Sequence, residues 1–205
     1  MGDDGGMTDS LPHAPATERN REPILAVLRQ AFANRIRVLE FGSGTGQHAV
    51  YFARALPHLK WHTSDLPENH PGIRAWIAQA GLPNVVPPSA LDIGRPETWP
   101  MTRHDAIFSA NSLHIMPWSA VEQFFAGIDK VLESEGLLAV YGPFNYHGTY
   151  TSDSNREFDG WLKQRSALSA IRDFEAVDAL ANGIGLRLVD DHAMPANNRL
   201  LVWRR

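Results

Sequence analysis

The feature that most constrains this chain is a glycine-rich turn between an apolar run and a helical pattern. Residues 36–41 form a short apolar run that predicts a buried strand, with Glu40 near its end. Three glycines follow at alternate positions from Gly42 to Gly46, and residues 47–56 then carry apolar side chains at helical spacing. The order strand, glycine turn, helix is typical of a phosphate- or nucleoside-binding turn in an α/β sheet. Glycines suit this turn because it is tight and because a ligand approaches the backbone where a Cβ atom would collide.

Three known motifs can be compared with this turn. A P-loop ends in Gly-Lys-Ser/Thr, whereas this chain has Gly46-Gln47-His48, so a P-loop is excluded. The dinucleotide pattern G-x-G-x-x-G/A fails when counted from Gly42 but matches formally when counted from Gly44, so NAD stays open. The pattern E/D-x-G-x-G-x-G fits at every position from Glu40, and it is similar to the first motif of class I S-adenosylmethionine-dependent methyltransferases. A buried strand-to-helix turn can also collect glycines without binding a ligand.

Two further acids follow predicted strands. Residues 61–65 predict the next strand, and it ends in Asp65 about twenty residues beyond the turn, where such folds bind ribose hydroxyls. That acid suits NAD and S-adenosylmethionine equally. Asp92 follows a third short strand, residues 85–88, at a place where methyltransferases commonly contact the adenine amino group. A surface turn residue is the alternative interpretation of Asp92.

Composition restricts the class of protein. The chain has 205 residues, which is enough for one α/β domain over residues 16–205. Residues 1–15 are rich in Gly, Asp, Pro and Ser, so we expect this segment to be flexible. A net charge of −4 disfavours nucleic acid as a partner, and no apolar run is long enough to predict a membrane span. The chain contains no cysteine, which excludes disulfides and thiolate chemistry. We expect a cytoplasmic protein, since the start resembles no signal peptide.

The rest of the chain alternates helical and strand patterns. A helix with an apolar face from Ile24 to Phe32 should precede the first strand. Further helices are predicted at 72–80, 119–132, 155–164 and 173–181, and further strands at 104–110, 137–142, 186–190 and 199–203. The connection over residues 191–198 is too short for a crossover helix, so the last strand should run antiparallel. This ending is typical of class I methyltransferases, since the dehydrogenase sheet lacks a reversed last strand.

Several segments together resemble one family. They are Glu18-Arg19-Asn20-Arg21-Glu22-Pro23-Ile24, Ser43-Gly44-Thr45-Gly46-Gln47-His48-Ala49, Tyr141-Gly142-Pro143-Phe144, Thr151-Ser152-Asp153-Ser154-Asn155, Ile171-Arg172-Asp173-Phe174-Glu175 and Met194-Pro195-Ala196-Asn197-Asn198. They resemble the DUF938 family, also called UPF0585, which includes the methyltransferase-like 26 proteins. The resemblance implies an α/β, Rossmann-like three-layer sandwich of the class I methyltransferase type. It also implies a seven-stranded, mostly parallel sheet with an antiparallel last strand and S-adenosyl-L-methionine as cofactor, but it leaves the substrate undefined.

The expected cofactor site combines the glycine turn with the strand ends. Its residues are Arg19, Asn20, Glu40, Gly42, Ser43, Gly44, Gly46, His48, Asp65, Leu66, Leu91, Asp92, Asn111 and Ser112. Glu40 and the turn are expected near the amino-acid and ribose parts, and Asp65 at the ribose hydroxyls. Asp92 is expected at the adenine, while Asn111 and its neighbour line the methionine end. For Arg19 and Asn20, a solvated helix start is an equal alternative.

The expected acceptor site lies beyond the fourth and fifth strands. Its candidate catalytic residues are His114, Tyr146 and His147, and its candidate substrate-binding residues are Tyr141, Phe144, Asn145, Tyr150, Arg172 and Asn197. His114 is the best candidate base because histidine titrates near neutrality, although it could also only bond to backbone. Arg172 would favour an acidic substrate if it points inward, and a surface ion pair is the alternative. Asn197 could face the substrate or form a hairpin turn.

Together these patterns predict an S-adenosylmethionine-dependent methyltransferase with a small-molecule acceptor. The histidines lack metal-ligand spacing, so no metal is expected, nor is any nucleic-acid or membrane partner. The protein is expected to be a monomer or a homodimer. Two alternatives remain open, namely a non-catalytic S-adenosylmethionine-binding module and an NAD-dependent oxidoreductase.

Overall fold

The computed structural model describes residues 11–205, in which one large sheet lies between two layers of helices. The helices are α1 (Pro15–Ala31), α2 (Gln47–Ala55), α3 (His70–Ala80), α4 (Trp118–Val131), α5 (Asp153–Arg165) and α6 (Phe174–Gly183). The strands are β1 (Arg37–Phe41), β2 (Lys60–Asp65), β3 (Val85–Ala90), β4 (His104–Ala110), β5 (Leu132–Gly142), β6 (Phe144–Asn145), β7 (Arg172–Asp173), β8 (Arg187–Met194) and β9 (Asn198–Arg204).

The sheet has seven strands in the order β3-β2-β1-β4-β5-β9-β8. The five strands from β3 to β5 are parallel, whereas β9 runs antiparallel to both β5 and β8. The predicted seven-stranded, mostly parallel sheet with an antiparallel last strand is therefore confirmed. The chain winds outward from β1 in one direction and from β4 in the other, so a crevice opens at the carboxyl ends of these two strands.

Two apolar clusters hold the layers together, one on each face of the sheet. Successive side chains along β1 point to opposite faces of the sheet. Val38 therefore packs in the cluster under α1 and α2, and Leu39 packs in the cluster under α4 and α6. α4 contributes one helical face, including Val121, Phe124 and Ile128, all of which are fully buried. This burial on both faces explains why the central strands are continuous apolar runs in the sequence.

The structure differs from the predicted elements at three places. β5 begins at Leu132 rather than residue 137, because residues 133–136 form a bulge with Glu135 at φ 61° instead of a helix end. β8 continues to Met194, so the hairpin closes through residues 195–197 alone. The two-residue strands β6 and β7 pair in parallel outside the main sheet, and runs this short carry no periodic signal.

Two smaller expectations also concern chain ends. The last helix, predicted from residue 173, begins at Phe174, and Asp173 occupies its N-cap position without a capping hydrogen bond from its side chain. Residues 1–15 were expected to be flexible, and residues 1–10 of this segment lie outside the described residues. Beyond residue 10, the Pro12 carbonyl accepts a hydrogen bond from Trp76 Nε1 (2.8 Å) and the Ala14 amide donates one to Gln47 Oε1 (2.6 Å). Within residues 11–205, no helix is long and apolar enough to cross a membrane.

The contact between α4 and the Trp99 ring gives a test of the packing. A Cβ atom at Gly127 would lie 2.1 Å from Trp99 Cζ2, so Gly127→Ala should lower the free energy of unfolding by about 1–3 kcal/mol through overpacking. Gly160→Ala in α5 is the matched control, since nothing lies within 4 Å of its Cβ position. It should raise stability by about 0.5–1 kcal/mol because alanine favours a helix interior. Urea titration measures both, and equal stabilities of the two variants would contradict this packing.

Candidate active site

Two cavities meet at the carboxyl ends of β1 and β4. The β3-side cavity, about 490 Å³, is lined by Phe41, Gly42, Gly44, Asp65, Leu66, Asn69, Leu91, Asp92, Ile93, Ala110, Asn111, Ser112, Ile115, Met116, Pro117 and Ala120. The α1-side cavity, about 700 Å³, is lined by Leu11, Pro12, Ala14, Ala16, Thr17, Gly42, Ser43, Gly44, Thr45, His48, Glu68, Asn69, Pro71, Gly72, Ala75, Ala110 and Asn111. Gly42, Gly44 and Asn111 belong to both walls, so the glycine turn separates two parts of one cleft.

The three glycines of the turn are needed for different reasons. All have positive φ, at +71° for Gly42, +57° for Gly44 and +90° for Gly46. A Cβ atom at Gly46 would lie 2.9 Å from Ile73 Cα, so this glycine permits close packing of the turn against α3. At Gly44 nothing lies within 4 Å of the Cβ position. Gly44 is therefore the residue whose backbone is left open to a ligand in the cleft.

Glu40 lies beneath the glycine turn and lines neither cavity. Its side chain is buried, and Oε2 accepts hydrogen bonds from Ser43 Oγ (2.8 Å) and Trp61 Nε1 (3.1 Å). Burial raises the pKa of this carboxyl group to about 7, against the opposing effect of these two hydrogen bonds. In this structure the carboxyl group of Glu40 joins the turn to β2, and its expected contact with the cofactor stays a prediction.

Asp65 lies at the end of β2 on the wall of the β3-side cavity. Its Oδ2 accepts a hydrogen bond from the Gly44 amide (2.7 Å), and its Oδ1 accepts from the Leu66 amide (2.7 Å) and from Asn69 Nδ2 (2.8 Å). The carboxylate therefore connects the glycine turn to the strand end. Asp92 lines the same cavity from the end of β3, so the two acids expected at a nucleoside share one space.

Asn111 follows β4 directly and has a left-handed backbone, with φ 58°. Its amide donates to the Tyr141 carbonyl at 2.8 Å, which holds the turn against β5. Asn111 lines both cavities, and Ser112 lines the β3-side cavity. Left-handed residues other than glycine are costly, and they are enriched where function requires a particular backbone.

His48 is the imidazole on the wall of the α1-side cavity. Its Nε2 lies 2.7 Å from Asn20 Oδ1, and its ring stacks on Phe52 at 5.1 Å between centroids. Burial lowers the pKa of His48 to about 4, so the ring is neutral at pH 7. Burial raises the pKa of Tyr141, against the opposing effects of the nearby Asn20 and Arg19. Asn20 contacts the wall of this cavity through His48, and neither Asn20 nor the exposed Arg19 lines it.

The sequence patterns missed the segment that covers the α1-side cavity. Leu11, Pro12, Ala14, Ala16 and Thr17 contribute to its wall, although this stretch carries no motif. One residue in the sequence is related to this segment. Gly72 lies in the first turn of α3, where a Cβ atom would lie 2.8 Å from Pro12 Cγ, so a larger residue would collide with the segment.

The residues expected around the acceptor do not come together at either cavity. Phe144 lies in the apolar core with 1% exposure, and Tyr141 and Asn145 are also buried. His114 is buried with its ring edge-on to Phe158 at 5.5 Å, and burial lowers its pKa to about 4. These four side chains line neither cavity, and their expected contact with the acceptor stays a prediction.

The polar residues that follow β5 form hydrogen bonds and an ion pair with other parts of the protein, outside the two cavities. Tyr146 donates its hydroxyl hydrogen to Asp191 (2.8 Å), and Tyr150 donates to Asp159 (2.6 Å). His147 is exposed and lies 3.2 Å from a Glu175 carboxylate oxygen. Asn197 donates to Ser154 Oγ (3.1 Å) in the hairpin region, and Arg172 donates to backbone carbonyls of the loop after β4. None of these side chains lines the two cavities, and their expected roles in catalysis and substrate binding stay predictions. Among the described residues, no group of three or more acidic or imidazole side chains could hold a metal ion.

A family model described as "Protein of unknown function (DUF938)" matches residues 11–205. The chain belongs to the DUF938 family. Its fold is similar to three solved structures, each of which is named as a methyltransferase. An O-methyltransferase family protein from Burkholderia thailandensis has a TM-score of 0.80 at 16% identity, over 90% of this chain and 55% of that chain.

Two further structures give the same result. The mitomycin 7-O-methyltransferase MmcR has a TM-score of 0.80 at 19% identity, over 93% of this chain and 54% of that chain. The S-adenosylmethionine-dependent methyltransferase SibL in its apo form has a TM-score of 0.78 at 23% identity, over 93% and 55%. This DUF938 chain therefore spans about half the length of these structures. The similarity confirms the methyltransferase fold.

The buried carboxyl group of Glu40 gives a pH test of the turn. The folded DUF938 protein keeps this proton up to about pH 7, whereas the unfolded chain releases it near 4.5. The contribution of Glu40 to the free energy of unfolding therefore falls as pH rises from 4.5 to 7. Glu40→Gln carries no such proton, so its stability relative to wild type should rise by about 1–3 kcal/mol between pH 5 and pH 8.

Chemical denaturation at a series of pH values measures this difference. Glu157→Gln, which changes an exposed acid on α5, is the matched control and should track wild type throughout. Parallel pH curves for wild type and Glu40→Gln would contradict a buried, protonated Glu40.

Proposed function

We propose that this protein is an S-adenosylmethionine-dependent methyltransferase that acts on a small-molecule acceptor. The observation that carries the proposal is the composition of the β3-side cavity. Its wall brings the carboxylates of Asp65 and Asp92 together with the open backbone of Gly44. This cavity continues into the larger α1-side cavity, as a reaction between two bound molecules requires.

The residues of the β3-side cavity fit an adenosyl group. Asp65 has two carboxylate oxygens at a strand end, where ribose hydroxyls can donate to them. Asp92 offers an acceptor for an adenine amino group, and Leu66, Leu91 and Ile93 supply apolar surface for the ring. An empty space beside the Gly44 Cβ position lets the ligand approach the turn closely.

The α1-side cavity fits the amino-acid part of the cofactor and the acceptor. Its polar side chains include Thr17, Ser43, Thr45, His48 and Asn111, and its volume of about 700 Å³ is ordinary for a small-molecule site. When bound, S-adenosylmethionine supplies a methyl group that its sulfonium already activates. The chain then has to align the acceptor and exclude water, and the segment of Pro12 and Ala14 forms one wall of the cavity where this would occur.

His48 replaces His114 as the imidazole proposed to meet the acceptor. His48 Nε2 lies 2.7 Å from Asn20 Oδ1, and the tautomer that donates to this oxygen leaves the Nδ1 lone pair available. The low pKa of His48 keeps the ring neutral at pH 7, so it accepts a hydrogen bond from a hydroxyl or amine rather than binding an anion. The name of MmcR, a mitomycin 7-O-methyltransferase, supports oxygen of a small molecule as the methyl acceptor.

Binding of S-adenosylhomocysteine measured by calorimetry tests the proposal. Wild type should bind it, and Asp65→Ala should bind about tenfold to a hundredfold more weakly, since the ribose loses its acceptor and the Gly44 amide loses its partner. Asp173→Ala, an exposed acid whose side chain forms no capping bond, should bind like wild type. An unchanged affinity of Asp65→Ala would contradict the assignment.

Two other outcomes would select the alternative functions. Tight binding of NADH with no binding of S-adenosylhomocysteine would establish an NAD-dependent oxidoreductase. Binding of S-adenosylhomocysteine without transfer of a labelled methyl group to a broad panel of phenols, alcohols, amines and thiols would favour a non-catalytic binding module.

A further inference from the structure

Four consecutive backbone carbonyls after β4 are held by one distant segment of the chain. The β4 loop, residues 111–117, joins β4 to α4, and the clamp segment, residues 168–172, precedes α6. The hydrogen bonds are Arg172 Nε to Leu113 O (3.1 Å), the Ala170 amide to His114 O (3.0 Å), Ser169 Oγ to Ile115 O (2.9 Å) and Arg172 Nη2 to Met116 O. Every carbonyl from residue 113 to residue 116 therefore has a partner in the clamp segment.

Arg172 supplies the two outer hydrogen bonds of this set. The same guanidinium also donates to the Leu168 carbonyl at 2.9 Å, and it lies 5.9 Å from the ring centroid of Trp118 at the start of α4. Within residues 11–205 it forms no salt bridge with a carboxylate. A planar guanidinium can reach carbonyls in several directions at once, which a lysine ammonium on its flexible stem does not reproduce.

The clamp segment is itself anchored to α5 through Asp159. This carboxylate is 2% exposed, and its Oδ1 accepts from the Ile171 amide at 2.7 Å. Its Oδ2 accepts from the Tyr150 hydroxyl and from Lys163 Nζ, both at 2.6 Å. A buried carboxylate with three donors is well satisfied, so it holds the backbone of the clamp segment in place without a ligand.

Most side chains of the β4 loop face the cleft, whereas Leu113 and His114 are buried and line neither cavity. Asn111, Ser112, Ile115 and Met116 line the β3-side cavity, whereas no residue of the clamp segment does. The loop carbonyls are thus bonded on the side away from the cavity. Without the clamp they would have to find other partners, and the loop would lose its single conformation.

We propose that Arg172 is a positioning residue that preorganises the β4 loop as a wall of the cofactor cavity. This inference rests on the proposed function only for the identity of the ligand. It gives Tyr150 and Asp159 the same indirect role, since they hold the clamp segment. The region from residue 146 to residue 172 therefore acts on cofactor affinity through the β4 loop.

Amide hydrogen exchange of the ligand-free protein tests the positioning role directly. In Arg172→Ala and in Arg172→Lys, exchange in a peptide spanning residues 111–117 should be about tenfold faster than in wild type, while peptides of β1 and β4 exchange as before. Arg165→Ala is the matched control, because this arginine lies over Trp161 on α5 and has no contact with the β4 loop in the described structure. It should exchange like wild type.

Affinity for S-adenosylhomocysteine supplies the second readout. Both Arg172 variants should bind it about tenfold more weakly. Millimolar methylguanidinium should restore much of the affinity of Arg172→Ala and leave the wild-type affinity of Arg165→Ala unchanged. General destabilisation would not respond to methylguanidinium. If Arg172→Ala does not fold, Arg172→Lys decides the exchange result.

Two results would overturn the inference, namely wild-type exchange of the β4 loop in a folded Arg172 variant, or wild-type affinity of Arg172→Lys. Failure of wild type to bind S-adenosylhomocysteine would instead refute the proposed function. The exchange rates of the ligand-free variants would still show whether Arg172 orders the β4 loop.

Discussion

The site depends on how two carboxyl groups hold the glycine turn. Asp65 accepts a hydrogen bond from the Gly44 amide at 2.7 Å, and Glu40 accepts one from Ser43 Oγ at 2.8 Å. One acid thus fixes the turn from the end of β2, and the other fixes it from below. Gly42, Gly44 and Gly46 all have positive φ. Because glycine has no Cβ atom, it adopts positive and negative φ about equally, so these contacts decide the shape of the turn. Both cavities then take their common wall from this turn.

The two acids differ in environment, although the sequence patterns place both near the cofactor. Asp65 is partly exposed on a cavity wall, whereas Glu40 is buried and has a pKa near 7. A desolvated carboxyl group with two donors is suited to holding a backbone turn, while a solvated carboxylate at a strand end is suited to receiving a ligand. Sequence patterns therefore do not distinguish an acid that supports the turn from one that lies on the cavity wall.

The region between β5 and α6 shows how hydrogen bonding within the protein removes polar groups from a site. Tyr146 is bonded to Asp191, Tyr150 to Asp159 and Arg172 to the carbonyls of the β4 loop. Buried polar groups must be satisfied, so residues that look rich in recognition chemistry are used here to build structure. The α1-side cavity lies on the other side of the cleft. The segment before α1, which has few polar side chains, forms part of its wall. The similarity to MmcR and SibL extends over most of this chain but only about half of theirs, so the shared part is the fold.

The sequence by itself determined the strand and helix order, the antiparallel ending of the sheet and the position of the glycine turn. These features depend on local spacing, namely apolar periodicity, alternating glycines and a connection too short for a crossover helix. It also determined that Asp65 and Asp92 would lie at one edge, since parallel strands end together. Only the tertiary structure decided which side chains reach the cleft. Glu40, His114 and Arg172 point to partners that lie close in space but, for Arg172, more than fifty residues away in sequence. A local pattern identifies a polar residue, but its role depends on whether a distant donor or acceptor has already satisfied it.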